Sequence, residues 1–329
     1  MKTKYDYISY NTSSSNGQEV VRFGGAQIAV THDVDTNIET IKRAIDWAEE
    51  NKVEYLVTPE GALSGYYDTV LTDDENWLKI EQGEIEVVAY AAEKNVGLCL
   101  GTFWREKERA GTLNRNQTRF YDWNGEFKGA YNKIRCIEGD PVVPGADNAQ
   151  NGGDHQIIML SVKANPVATF AVGVLICNDF YGEDPTGTTL ARRALYSLKN
   201  QNPPVELVLH PTFGLRGKEV SDELDEEIMQ VYDTWHESHV KQLSYSAMIN
   251  VLTVDSITDF TGEVPPHQTS SPGGVIAMGK TIKKVPRTGE QYFYWDYRAS
   301  IIGGSMSDDT FEPNVLEHLL NQNPAPVEE

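Results

Sequence analysis

Hydrophobic positions along the chain switch between the spacing of strands and the spacing of helices. Residues 20–30, VVRFGGAQIAV, are strand-like, and the next apolar residues recur with the 3.6-residue period of a helix. Thr36 with Glu39 three positions later predicts a capping box at the start of this helix. The apolar positions of the helix are Ile38, Ile41, Ile45 and Ala48.

The same alternation continues through the rest of the chain. Asn124-Gly125, a preferred tight-turn pair, predicts a hairpin over residues 117–131. The near-continuous apolar run at 166–177, PVATFAVGVLIC, predicts a strand covered on both faces. Further strands are expected at 53–59, 96–104, 205–210, 249–254, 273–278 and 291–297, and helices at 79–94, from about 187, and from about 219 to 247.

Strands that alternate with helices, without an interdomain linker, predict one layered α/β domain. We expect it to span residues 19–304. Residues 1–18 are polar and Ser/Asn-rich, and are expected to be a flexible N-terminal segment. Residues 305–329 are expected to form a mobile acidic tail.

Composition excludes several classes of function. Asp and Glu number 49 against 28 Lys and Arg, for a net charge of −21, and no basic cluster suggests nucleic-acid binding. No apolar stretch reaches 18 residues, so no membrane span is expected. The N-terminus does not resemble a secretory signal, and three widely spaced cysteines suit a reducing cytoplasm.

Three reactive side chains follow predicted strands, where catalytic groups gather in α/β folds. Glu60 follows the strand at 53–59, Lys133 follows the hairpin, and Cys177 ends the apolar run. A carboxylate can take the proton of a thiol as the sulfur attacks a carbonyl carbon, and an ammonium stabilises the oxyanion. This chemistry requires no metal and no cofactor.

The segments TPEGALSGY, YNKIRCIEGDPVVPG and GVLICNDFYGEDP, in this order, resemble the nitrilase superfamily of carbon–nitrogen hydrolases. The resemblance spans roughly residues 20–300. It implies an αββα four-layer sandwich and a catalytic triad of Glu60, Lys133 and Cys177. It also implies a homodimer or higher homo-oligomer, for which the helix after Cys177 and the tail are candidate contacts.

The same resemblance implies a second glutamate near the pocket, which points to Glu138 in the IEG of residues 137–139. Its expected role is to orient Lys133 or the substrate amide. In the implied mechanism Glu60 accepts the thiol proton, while Lys133 and the backbone N–H of Asn178 hold the oxyanion. An acyl-thioester then forms on Cys177 and is hydrolysed by water that Glu60 activates.

The residues after the cysteine separate the branches of the superfamily. Cys177 is followed by Asn178 and Asp179, which is similar to amidases and N-carbamoyl amidohydrolases, and not by the Trp-Glu pair of nitrilases. Carbamoylases have two arginines where this chain has Phe180 and Tyr181. We therefore expect a small amide or N-carbamoyl substrate. Two alternatives stay open: nitrile hydrolysis, and an idle family member with a binding or regulatory role.

Four further residues are candidates for the substrate pocket, with roles in packing as the competing interpretation: Tyr66, Trp104, Tyr181 and His210. Cys99 is expected to pack in the core. Cys136 is expected to have a packing role, with a place in the pocket lining as the alternative. His236 and His239 are spaced by three, without a third ligand nearby, so we expect two solvated histidines and not a metal site.

Overall fold

The protein is described by a computed structural model over residues 18–66, 74–108, 111–136, 157–180, 190–213, 237–258, 269, 271 and 273–301. The strands of these residues form two six-stranded sheets. Residues 1–17 of the predicted N-terminal segment 1–18, the whole predicted tail 305–329, and residues 219–236 of the long predicted helix lie outside the described residues. The domain boundaries therefore stay predictions, although Gln18 already belongs to the first strand.

The first sheet has the order β12-β1-β2-β3-β4-β5. Its three neighbouring strands β1, β2 and β3 run parallel, and the outer pairs are antiparallel. The bounds are β1 Gln18–Gln27, β2 Tyr55–Val57, β3 Gly97–Glu108, β4 Gly111–Tyr121, β5 Phe127–Asn132 and β12 Gln291–Ser300.

The second sheet has the order β11-β10-β9-β8-β7-β6, with β7, β8 and β9 parallel. The edge strand β11 is exposed along its whole length and was not predicted, because its sequence KTIKK has no apolar alternation. The bounds are β6 Ile158–Val162, β7 Asn165–Val174, β8 Leu207–Pro211, β9 Asn250–Val254, β10 Gly274–Ala277 and β11 Lys280–Lys284.

Helices cover the outer face of each sheet. Helices α1 and α2 share one core with the first sheet, α3 and α4 share another with the second, and a third core lies between the sheets. The four-layer αββα arrangement is thus confirmed. The bounds are α1 Val34–Glu50, α2 Asp74–Glu93, α3 Leu190–Lys199 and α4 Ser238–Ala247, with a short 3-10 helix at Cys177–Phe180.

Helix α1 has the predicted apolar face but not the predicted cap. Its four apolar positions are buried, whereas the N-cap is Asp33 and the Thr36 capping box is wrong. Asp33 accepts a hydrogen bond from the N–H of Asp35 at 3.2 Å and from the hydroxyl of Thr36 at 2.7 Å. Asp33, three residues before Thr36, accepts a hydrogen bond from an N–H group at the start of the helix, so Thr36 lies in the first turn.

Two further expectations are settled by the packing. The Asn124-Gly125 turn joins β4 to β5, and Gly125 adopts the positive φ of 80° that the turn requires. The apolar face of α3 packs inside its own subunit, because Ala194, Leu195 and Leu198 are buried against the second sheet. No helix of the described ranges is long and apolar enough to cross a membrane.

A buried polar cluster fastens the two sheets together at the start of β2. The Tyr55 hydroxyl lies 2.5 Å from Oδ1 of Asp122, in the first sheet's hairpin, and 2.8 Å from the carbonyl oxygen of Ser161 on β6. The Ser161 hydroxyl donates to the other oxygen of Asp122 at 2.8 Å. We call Tyr55, Asp122 and Ser161 the inter-sheet pin.

Candidate active site

The structure brings Glu60 and Lys133 into direct contact where the carboxyl ends of β2 and β5 meet. The Lys133 Nζ donates to Oε1 of Glu60 at 2.8 Å, and both side chains are fully buried. Burial of two charges is tolerable only when they are paired and hydrogen-bonded. A buried pair of this kind at strand ends supports a functional role more than a structural one.

The carboxylate of Glu60 is held by donors from both sheets. Its Oε1 also accepts from Nδ2 of Asn116, on β4, at 2.6 Å. Its Oε2 accepts from the main-chain N–H of Phe213, just after β8 of the second sheet, at 3.0 Å. The Glu60 N–H in turn donates to the carbonyl oxygen of Thr212 at 3.3 Å. Glu60 is therefore fixed between the sheets and not only by its own loop.

The loop that carries Glu60 lies directly on β3, and Gly101 makes this possible. A Cβ at Gly101 would overlap the carbonyl oxygen of Pro59. Instead, the Gly101 N–H donates to the Thr58 hydroxyl at 3.0 Å, and its carbonyl accepts from the N–H of Leu63 at 3.1 Å. Glycine is required because the two backbones touch.

Cys177 begins the 3-10 helix after β7 and has a left-handed φ of 43°. The side chain is half-buried. Burial and the neighbouring Glu60 carboxylate raise the pKa of the thiol above its usual range, while Lys133 and a hydrogen bond from the Phe213 N–H lower it in part. The raised pKa keeps the thiol neutral at rest, and the charge of the Glu60 carboxylate contributes to this shift.

Asp179 ties the Lys133 segment to the Cys177 turn, a structural role that its place in the sequence motif did not predict. It accepts hydrogen bonds from the main-chain N–H groups of Arg135 at 2.7 Å and Ile176 at 3.1 Å, and from the Tyr131 hydroxyl at 3.0 Å. Burial raises the pKa of Asp179 to about 6, although these hydrogen bonds lower it in part. Its position two residues after Cys177 was the sequence feature that could have identified it.

A second buried aspartate supports the site from β9. Asp255 accepts from the N–H groups of Ser256 at 2.9 Å and Ser271 at 2.8 Å, and hydrogen-bonds the side chain of Thr212. Burial raises its pKa to about 6, and its charge raises the pKa of Cys177. Its position at a third parallel strand end was the signal that sequence reasoning missed.

Tyr66 lies at the site, and His210 lies behind it. The Lys133 Nζ donates to the Tyr66 hydroxyl at 3.3 Å, and the Tyr66 ring stacks on Phe213 with centroids 4.7 Å apart. His210 is fully buried, with Nε2 3.3 Å from the carbonyl oxygen of Cys177 and Nδ1 3.3 Å from the Thr253 hydroxyl. His210 therefore braces the Cys177 turn, and its contact with substrate stays a prediction.

Trp104 lies on the wrong face of the first sheet for a pocket residue. It pairs with Arg115, so by strand alternation it faces away from the side that Asn116 occupies. Its ring stacks on the guanidinium of Arg119 at 4.0 Å, and Arg119 forms a 2.8 Å ion pair with Glu84 of α2. Period-two alternation was visible in the sequence, but which face meets the other sheet was not.

The remaining predicted residues have different outcomes. Asn178 is half-buried next to Cys177, whereas Glu138 and Tyr181 lie outside the described residues. Cys99 is buried between the sheets, and Cys136 packs half-buried against the core of α1 and α2. No metal-binding group of His, Cys, Asp and Glu occurs among the described residues.

His239 is not solvated as expected, because it is half-buried with Nε2 3.0 Å from the carbonyl oxygen of Phe180. His236, the other histidine of that pair, lies outside the described residues. The contact of His239 places it behind the 3-10 helix that Cys177 begins.

Comparisons with known proteins give a match to one family model and matches in fold to solved structures. The carbon-nitrogen hydrolase family model matches residues 21–183. An amidase from Nesterenkonia sp. superposes with a TM-score of 0.60 at 16% identity, covering 86% of this chain and 92% of that chain. A variant of the Nesterenkonia sp. AN1 amidase in complex with butyramide gives 0.60 at 17% identity, covering 86% and 93%. Curated protein sequences give no significant match.

Proposed function

We propose that this chain, whose residues 21–183 match the carbon-nitrogen hydrolase family model, hydrolyses a small amide or N-carbamoyl compound through a thioester on Cys177. One observation carries the proposal. The N–H of Phe213 hydrogen-bonds both the Glu60 carboxylate, at 3.0 Å, and the Cys177 thiol. A base and a nucleophile that contact the same donor are neighbours, which supports proton transfer between them directly or through one water.

In the first half of the reaction, the S–H bond of Cys177 breaks and its proton passes to Glu60. The sulfur attacks the carbonyl carbon, and the oxyanion accepts hydrogen bonds from the Lys133 Nζ and the Asn178 N–H. Glu60 then gives its proton to the leaving amine, and the C–N bond breaks. A thioester remains on the enzyme.

In the second half, Glu60 takes a proton from water, and the resulting hydroxide attacks the thioester carbon. The sulfur leaves as the acid forms, and the proton returns from Glu60 to Cys177. Lys133 keeps its 2.8 Å contact with Glu60 in the resting state, so its ammonium already lies where the oxyanion develops. This preorganisation avoids reorientation of solvent during each step.

The walls of the site support a small substrate with an apolar body. Tyr66 stacks on Phe213 at 4.7 Å and packs beside Phe103 at 5.3 Å, so aromatic faces surround the buried Glu60–Lys133 pair. The amidase captured with butyramide provides a first candidate, a short aliphatic amide. We propose that Tyr181 adds to this wall and that Glu138 orients the amide.

The first prediction is tested by product release from a substrate panel. The panel holds butyramide and other aliphatic amides, N-carbamoyl amines, N-carbamoyl amino acids and nitriles. We expect turnover of an amide or carbamoyl compound, and a fall of at least about 10³-fold for Cys177→Ala, because the nucleophile is lost. The matched control is Cys136→Ala, which removes a half-buried thiol three residues after Lys133 and should retain activity.

Other outcomes select the alternatives. Turnover of nitriles alone would contradict the amidase assignment but keep the triad. Activity that survives in Cys177→Ala would contradict the thioester mechanism. A silent panel with a slow, unactivated Cys177 thiol would favour an idle binding member of the family.

We also propose that the protein works in the cytoplasm as a homodimer or higher homo-oligomer, as the family resemblance implies. Two aromatic side chains on the α3–α4 layer, Tyr196 and Tyr245, are exposed in the single chain. Light scattering on the purified protein tests the assembly, and a monomeric mass would contradict it.

A further inference from the structure

Asn116 contacts two of the three proposed catalytic residues in two different ways. Its side-chain Nδ2 donates to Oε1 of Glu60 at 2.6 Å. Its main-chain carbonyl accepts from the N–H of Lys133 at 2.8 Å, where the chain leaves β5. Asn116 is 1% exposed, so both contacts lie in the buried interior of the sandwich, where the low dielectric strengthens hydrogen bonds.

The two oxygens of Glu60 are not equivalent as proton acceptors. Each carboxylate oxygen has two lone pairs, and Oε1 already accepts from the Lys133 Nζ at 2.8 Å and from Asn116 at 2.6 Å. Oε2 accepts one hydrogen bond among the described residues, from the N–H of Phe213 at 3.0 Å. That same N–H lies beside the sulfur of Cys177. Oε2 therefore has a lone pair available to accept a proton, and it is also the oxygen that shares a donor with the thiol.

The orientation of the Asn116 amide follows from charge. Its nitrogen faces the carboxylate, because the amide oxygen in that place would face another oxygen. The outcome leaves Oδ1 of Asn116 buried without a hydrogen-bond partner in the described part of the chain. An unpaired buried acceptor destabilises a protein, so stability alone does not account for an asparagine here.

We propose that Asn116 is a positioning residue that occupies Oε1 of Glu60 together with Lys133 and thereby directs the thiol proton to Oε2. The inference rests on the proposed roles of Glu60 and Cys177. In the step it governs, the S–H bond of Cys177 breaks, an O–H bond forms at Oε2, and the sulfur electron pair attacks the substrate carbon. The Phe213 N–H then stays with the sulfur and not with the neutral carboxyl group.

The test is the pH dependence of Cys177 alkylation by chloroacetamide, which needs no knowledge of the substrate. In Asn116→Leu, Oε1 loses a donor that favours the ionised carboxylate. The acid limb of the alkylation rate should therefore move up by about one pH unit, which makes alkylation about tenfold slower below its midpoint. Asn116→Asp should move the limb in the same direction, because two adjacent carboxyl groups share a proton.

Thr118→Val is the matched control. Thr118 lies two residues further along β4, on the same face, fully buried, with a hydroxyl that has no partner in the described residues. Among the described contacts, its side chain makes none with Glu60 or Lys133. If Asn116 is merely structural, its variants would change the melting temperature and leave the pH profile unchanged, as Thr118→Val should, and that result would overturn the inference.

Glu60→Gln separates this inference from the proposed function. If Glu60→Gln leaves the acid limb in place, Glu60 is not the base and the proposed function fails. If Glu60→Gln removes the limb but both Asn116 variants keep it at its original pH, only the role of Asn116 fails. If neither Asn116 variant folds while Thr118→Val does, Asn116 is a structural residue and the inference is equally overturned.

Discussion

Cys177 has a backbone conformation that residues with a Cβ seldom adopt, and its neighbours hold it there. Its φ is 43°, a left-handed value that costs about 1 kcal/mol or more and persists only where surrounding contacts determine it. The turn is closed by the Asp179 N–H donating to the Ile176 carbonyl at 2.9 Å, and His210 contacts the Cys177 carbonyl. The sulfur is therefore placed by the fold before any ligand arrives.

Asp255 gives a prediction on pH and stability. Burial raises its pKa to about 6 from a usual value of 3.8, so between these values the folded protein keeps a proton that the unfolded chain releases. Stability from this residue is present below about pH 4 and is lost as the pH rises through about 6. Asp255→Asn should be less stable than the wild type because it loses hydrogen bonds, but asparagine does not titrate. The difference in unfolding free energy between the two proteins should therefore shrink by about 1–3 kcal/mol from pH 4 to 7.

The measurement is urea unfolding of both proteins at several pH values. Asp35→Asn, an exposed change in α1, is the control and should show a constant difference from the wild type. A deficit for Asp255→Asn that stays constant across this range would contradict the prediction.

At the scale of elements, the placement of Glu60 depends on the contact between its loop and β3. Gly101→Ala should destabilise the protein by at least about 2 kcal/mol and slow alkylation of Cys177, because the new methyl group overlaps a backbone oxygen of Pro59 that cannot move alone. Thermal unfolding and the alkylation rate measure both effects together.

Gly83→Ala is the comparison for this prediction. Its Cβ would meet Ile38 Cδ1, the movable end of a side chain, at 2.8 Å, and alanine favours the surrounding helix α2. Equal losses in Gly83→Ala and Gly101→Ala would mean that backbone overlap is not the cause.

Local patterns were enough to predict most elements and the strand-end positions of the three reactive residues. The apolar face of α1 and the Asn124-Gly125 turn depend on neighbours in sequence, and both are confirmed. The Thr36 capping box failed for a local reason, since Asp33 caps the helix instead, but most other failures depend on contacts distant in sequence. Asn116 reaches Glu60 only through the register of β4, and the Phe213 N–H arrives from the other sheet. The side of the sheet on which Trp104 lies is likewise fixed by packing.

At the scale of the whole molecule, the inter-sheet pin and the active site fasten the same two sheets at different points. Tyr55→Phe removes the hydroxyl that faces Asp122 and the Ser161 carbonyl. Buried acceptors without a donor should lower the unfolding free energy by about 1–3 kcal/mol. The alkylation rate of Cys177 should stay unchanged, because Tyr55 lies at the amino end of β2 whereas Glu60 follows its carboxyl end.

Thermal unfolding and the chloroacetamide rate check this prediction, with Tyr245→Phe, an exposed tyrosine, as control. A large fall in the alkylation rate of Tyr55→Phe would mean that the pin and the site are coupled through the sandwich.

The edge strand β11 has a consequence for behaviour at high concentration. A bare sheet edge is a template on which another chain can add a strand and begin an aggregate. Here the edge has three lysines in five exposed positions, Lys280, Lys283 and Lys284, in a chain whose net charge is −21. Two copies meeting along this edge would bring like charges together, so fibre growth by strand addition is opposed at the place where the sheet would otherwise continue.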